Sequence, residues 1–90
     1  MLIALICTDK ADHLEVRKAN RDAHLAYIKD TGVVAMAGPT LDDEGHMAGS
    51  IIVLDVESLA EAEAWAANDP YAKANLFSDV QIKAWNKVIG

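Results

Sequence analysis

Arg17, Arg21 and His24 follow one another at intervals of four and three residues, which at about 100° per residue places them on one side of a helix. Leu14, Leu25 and Ile28 fall in the same sector. Two cations and an imidazole beside an apolar stripe must lose water or find partners, a cost that hydrogen bonds or a ligand have to offset. Two outcomes are open. The arginines can snorkel to the rim of the core while His24 is satisfied inside it. Alternatively the three line a site in which the histidine is a general acid or base and Arg21 or Arg17 steadies an anionic oxygen. Asp69 bears on the choice, because it stands at the end of a second helical segment, where the negative end of the macrodipole disfavours a carboxylate. Brought against His24, it would orient the ring. The plainer reading is that Asp69-Pro70 opens a turn, as this dipeptide often does, and spacing alone does not bring the two side chains together.

Other candidates are single residues. Ser50 offers a hydroxyl to a substrate oxygen or to its own hairpin, and Gly38 permits close backbone approach or relieves strain at a strand end. Tyr71 and Trp85 can stack on an aromatic ligand or serve as packing and interface. His13, His24 and His46 lie on different elements with no H-x-x-x-H or C-x-x-C spacing, so no metal site is expected. Without a G-x-S-x-G elbow, nucleophilic Ser-His-Asp catalysis is not expected either, and nothing calls for a cofactor. The one cysteine, Cys7, reads as a buried inert thiol.

The elements that must position these residues can be read from periodicity. Leu2 to Thr8 is a short apolar run, hence a strand. Asp12 to Asp30 is polar and periodic, with Asp12 and Glu15 spaced as a capping box and Gly32 as the helix stop. Val33 to Ala37 gives a second strand, ended by Gly38-Pro39 because proline brings no N–H to a ladder. Ala48 to Val56 is the third. The polar stretch Thr40 to Ala48 between them is long for a hairpin and is expected to be mobile, a candidate lid over the site. Ser58 and Glu61 form a capping box for a second helix that stops near Asn68, before Pro70. After a helical turn or loop over Tyr71 to Leu76, Val80 to Val88 alternates as a last strand.

The order βαββαβ predicts an α+β, ferredoxin-like fold, a four-stranded antiparallel sheet with both helices on one face. The runs LIALI and IIVL look buried on both faces. A chain of 90 residues has no segment to cover the second face, so a homodimer packed sheet to sheet is expected, with residues 1–90 as one domain. A hydrophobic fraction of 52% excludes global disorder, and a net charge of -6 disfavours nucleic acid and anionic membranes as partners. The N-terminal run lacks a basic flank and a cleavage pattern, and no run nears the ~20 residues of a membrane span, which leads to an expectation of a cytoplasmic protein.

Several short patterns, in order, carry a resemblance: R-x-x-H-L at Arg21 to Leu25, Gly38-Pro39, the acidic turn Asp42-Asp43-Glu44-Gly45, Gly49-Ser50, Asp69-Pro70-Tyr71 and Gln81-Ile82-Lys83-Ala84-Trp85. With them the chain resembles the YciI-like family over nearly its whole length. The resemblance implies a dimeric α+β barrel and a pocket in which His24 and Asp69 form a catalytic dyad. Proteins similar to this family include a dehydrochlorinase of a chlorinated hydroxyhydroquinone, and the wider fold group includes muconolactone isomerase. Proton transfer on a small cyclic or phenolic substrate, by a cofactor-independent lyase, isomerase or dehydrohalogenase, is therefore expected. A non-catalytic small-ligand-binding or assembly module on the same fold is the alternative. The chain departs from the family pattern at Asn75, where a glycine is usual, and at Ala84, where a proline is common.

Overall fold

The first apolar run forms strand β1 (Leu2–Asp9), and the remaining elements are helix α1 (Leu14–Thr31), strands β2 (Val34–Leu41) and β3 (Met47–Asp55), helices α2 (Leu59–Asn68) and α3 (Pro70–Lys73), and strand β4 (Phe77–Trp85). These assignments come from a computed structural model that describes residues Met1–Gly90. The four strands make one antiparallel sheet in the order β2-β3-β1-β4, the ferredoxin-like arrangement. In β1 the alternate residues Ile3, Leu5 and Cys7 are buried, and Leu5 pairs with Ile52 on one side and Ile82 on the other. With Leu54, Val56, Ala62 and Trp65 they form the core between sheet and helices. Each fully buried Ile or Leu of this set contributes roughly 1.5–3 kcal/mol relative to exposure.

The two helices are tied together through their polar groups as well. The Tyr27 hydroxyl donates to the Trp65 carbonyl (2.8 Å), the Trp65 indole N–H donates to Thr31 Oγ1 (2.9 Å), and that hydroxyl donates to the Tyr27 carbonyl (2.9 Å). Gly32 closes α1 in the left-handed conformation at φ 66°, its N–H bonded to the Ile28 carbonyl. Ser58 caps α2 through the Glu61 N–H.

Several boundaries differ from the sequence reading. Asp12 and Glu15 form no capping box, because Asp12 lies in a turn at φ 59° and His13, whose side chain makes no cap bond, precedes the helix. Gly38-Pro39 does not end the second strand. β2 lies at the sheet edge, where a missing N–H can be tolerated, and it runs on to Leu41 with Pro39 opposite Ser50. The long loop shrinks accordingly to Asp42–His46. There the Asp42 carboxylate accepts the backbone N–H groups of Glu44 (2.9 Å) and His46 (3.0 Å), bonds that hold its carboxyl below the usual range, the His46 N–H foremost. A turn pinned in this way is a poor lid. β4 begins at Phe77 rather than Val80 because Asn75, in the left-handed region at φ 62°, turns the chain directly from α3 into the sheet. Asparagine tolerates that conformation, which accommodates the departure from the family's glycine.

Within one chain, the runs LIALI and IIVL are buried mainly on the face toward the helices; on the opposite face Val53, 4% exposed, is buried, and Leu2 and Ala4 are half-buried. Ile6 and Ile51, paired across β1 and β3, and Met36 on β2 are exposed on the face away from the helices. No helix is long and apolar enough to cross a membrane.

Candidate active site

The polar stripe of α1 is split, with Arg17 and His24 turned inward and Arg21 exposed. Arg17 is only 3% exposed and His24 only 6%, so Arg17 does not snorkel. Its partner is Asp9, which follows Ile3, Leu5 and Cys7 in the inward alternation of β1. Nε of Arg17 donates to Asp9 Oδ2 (2.7 Å) and Nη2 to Oδ1 (3.0 Å), a two-pronged buried ion pair. Nη2 also donates to Ser50 Oγ (2.8 Å) on β3. Burial alone would lower the Arg17 pKa, but the bond and charge of Asp9 outweigh it and the value rises. Sequence reasoning passed over Asp9. The signal available was an acid at the inward end of an apolar strand, facing a helix with an arginine on its inner side.

His24 and Asp69 are in contact, with Nδ1 of the ring 2.7 Å from Asp69 Oδ1 and both side chains buried. Asp69 is held there by local structure. It closes α2 and is at the same time the N-cap of α3, its Oδ1 accepting the Tyr71 N–H (3.0 Å), with Pro70 at the first helical position. A carboxylate that is unfavourable at the C-terminus of α2 is thus favourable at the N-terminus of α3. A carboxylate accepts only, so Nδ1 carries the proton and donates it, which assigns the tautomer and leaves Nε2 without a protein partner.

Tyr71 completes the cluster. Its ring stacks on His24 at 3.9 Å and 14°, has the Arg17 guanidinium 4.7 Å from its centroid, and meets Phe77 edge-on at 6.1 Å. Arg17 and His24 are seven residues, about 10.5 Å, apart along α1, so the ring is wedged between them. Burial raises the Tyr71 pKa against the opposing pull of Arg17 and Arg21, which keeps the phenol protonated at neutral pH. Burial and the Asp69 charge push the Cys7 thiol up to about 12.

Arg17, His24, Ser50 and Tyr71 face a cavity of about 170 Å³ between α1 and the β2–β3 hairpin. Arg17, Arg21, His24, Ser50 and Tyr71 form its polar side. Leu25, Ile28, Ala37, Met47 and Ile52, with Gly38 and Pro39, form the rest. A volume of this size matches the ~150 Å³ that holds one benzene ring in an engineered cavity. Asp69 stands behind His24 and does not line the cavity. Gly38 does, but its backbone is unstrained and a Cβ there would meet no atom within 4 Å, so relief of strain does not explain this glycine. Trp85 pairs with Leu2 at the far edge of the sheet and takes no part. His13 and His46 line a separate cleft with Asp9, Asp12 and Asp42, away from His24.

The model of the YCII-related domain matches residues 1–86. The chain is 39% identical over 97 aligned residues to protein YciI of Escherichia coli O6:H1, covering 98% of this chain and 99% of the relative. Among solved structures it is similar to 5-chloro-2-hydroxyhydroquinone dehydrochlorinase of Burkholderia phenoliruptrix in complex with 2,5-dihydroxybenzoquinone. The TM-score is 0.87 at 34% identity, over 96% of this chain and 94% of that one. An antibiotic biosynthesis monooxygenase shares the fold at a TM-score of 0.62 but only 8% identity, over 99% of this chain and 100% of that one.

Proposed function

The chain belongs to the YCII-related family, and from that premise we propose that its cavity binds a small cyclic or phenolic molecule on which His24 moves a proton, as a lyase, isomerase or dehydrohalogenase without a cofactor. The observation that carries the reading is the 2.7 Å contact between His24 Nδ1 and Asp69 Oδ1 beside the cavity. Asp69 fixes the tautomer, so Nε2 is the atom that takes up a proton from the substrate and later returns it. The carboxylate then stabilises the imidazolium that forms, while Tyr71, stacked on the ring, keeps its plane from turning. In an elimination, the electron pair left by the proton is accommodated as the leaving group departs as an anion. The similar dehydrochlorinase, bound to a dihydroxybenzoquinone, supports a single oxygenated ring as the substrate. We also propose a homodimer, in which the exposed Ile6, Ile51 and Met36 of two copies cover one another.

The test is depletion of catechols, hydroxyquinols with and without a ring chlorine, and lactones by the purified protein. His24→Ala is expected to lose about 10² to 10⁴ in turnover, the range for a general acid or base. Asp69→Asn is expected to lose less, since asparagine still caps α3 and removes mainly charge and orientation. The double variant should be barely worse than His24→Ala, because residues acting as a unit are non-additive. Full turnover by folded His24→Ala refutes the mechanism, and a panel that is bound but never consumed makes the protein a binding module.

A further inference from the structure

The two arginines of the cavity are not equivalent. Arg17 is neutralised, its guanidinium held by both oxygens of Asp9 and by Ser50. Arg21 lines the same cavity one turn further along α1 and forms no ion pair or hydrogen bond with the protein. The other polar groups leave no net charge of their own: Asp9 offsets Arg17, the Tyr71 phenol and the Ser50 hydroxyl are neutral, and Asp69 stands ready to offset a proton on His24. Arg21 is therefore the one uncompensated cation at this cavity, in a chain whose net charge is -6. An acidic protein that keeps a bare guanidinium at the mouth of its cavity is selective for negative charge there.

Ser50 adds direction. Its oxygen accepts from Arg17, but a hydroxyl also carries one proton, and that proton has no protein acceptor. It is free for a ligand in the cavity, where Ser50 and Arg21 are both lining residues.

We infer that Arg21 is the specificity residue for a monoanionic ligand: a single ring carrying one carboxylate, enolate or phenolate oxygen, which Arg21 holds while the Ser50 hydroxyl donates to the same ligand. Arg17 is a positioning residue that orients Ser50 and Tyr71 and does not bind the anion. This inference rests on the reading of the cavity as the ligand site, and adds the ligand's charge and the residue that selects it.

Isothermal titration with 2,5-dihydroxybenzoate and 2,5-dihydroxybenzamide tests it at pH 7, because the two probes share ring and hydroxyl groups and differ in charge. The benzoate is expected to bind about tenfold tighter or more, as a charge-assisted bond to arginine implies, with the advantage shrinking as salt is added. In Arg21→Gln the advantage should vanish while the amide's affinity stays within about threefold. Lys18→Gln removes the same charge from an exposed position of the same helix and should leave the advantage intact. Equal binding of acid and amide, an advantage that survives Arg21→Gln, an equal loss in Lys18→Gln, or no binding of either probe at millimolar concentration each overturns the inference. The proton-transfer reading fails on a different result, full turnover in His24→Ala, so the two failures are distinguishable.

Discussion

Replacing Asp9 by asparagine strands a buried charge. In the folded chain the Arg17 guanidinium is engaged by two bonds of 2.7 and 3.0 Å to a carboxylate that is itself almost wholly buried. Asparagine has nearly the same shape, but its NH₂ group would face the guanidinium donor to donor, and the positive charge would lose its counter-ion. Breaking a buried pair from one side costs about 3–5 kcal/mol, against a total stability of roughly 5–15 kcal/mol for a domain. With a urea m-value of about 1 kcal/mol/M for so small a chain, the unfolding midpoint should fall by roughly 3 M or more, or the variant should be unfolded from the start. The companion Asp9→Asn/Arg17→Met removes the charge altogether. It still loses the bond from Arg17 to Ser50, worth about 1 kcal/mol, and should therefore lie between wild type and Asp9→Asn. Urea titrations followed by circular dichroism at one fixed protein concentration, so that self-association contributes equally, give both numbers. A cost below about 1 kcal/mol for Asp9→Asn, the scale of a surface pair, or a double variant less stable than the single one, would refute the account of Asp9 as the counter-ion that makes Arg17 tolerable inside.

Alkaline pH probes the core through Cys7, whose thiol is pushed from 9.0 to about 12, first by burial and then by Asp69. Between those values the folded chain keeps a proton that the unfolded chain loses, so stability should fall with rising pH by about 1.4 kcal/mol per pH unit from this group. Urea midpoints across that window should show a shallower fall in Cys7→Ala, and equal slopes in both proteins would remove the thiol as the cause. Gly49→Ala places a Cβ against the Cys7 carbonyl oxygen and 2.6 Å from Thr40 Oγ1; it should cost about 2 kcal/mol or more in thermal or urea unfolding, whereas Gly38→Ala should cost little. Ile51→Lys, on the open sheet face, should convert a homodimer to monomers by light scattering. A monomeric wild type at micromolar concentration would instead remove the proposed partner copy.

The features legible in the sequence were those that local chemistry decides. A glycine just past an amphipathic run and a serine three residues before a glutamate specify Gly32 and Ser58 as helix ends wherever the rest of the chain goes. The features misread were those that neighbours decide. Pro39 stops a central strand, and only the position of β2 at the edge of the sheet lets the strand continue past it. That continuation converts an expected long loop into a five-residue turn, since Thr40 and Leu41 pair with Gly49 and Met47. Asp12 has the right spacing to Glu15 for a cap, but the link out of β1 requires it in a left-handed turn instead.

Asp69 sits where two structural demands meet. At the end of α2 alone, a carboxylate faces the negative end of the helix and has no local reason to be there. The capping of α3 explains it fully, so an acid at that position would be expected even in a chain with no site at all. What distinguishes it is that the same Oδ1 that takes the Tyr71 N–H also takes the His24 ring. The stronger pointer was the inward stripe of α1, because a core can hold an arginine and a histidine at 3% and 6% exposure only by bringing an acceptor to each from another element. Asp9 arrives from β1 and Asp69 from the junction of α2 and α3. Arg21, between them on the helix, receives none because it is exposed to solvent, and that leaves its guanidinium open to the anion of a ligand.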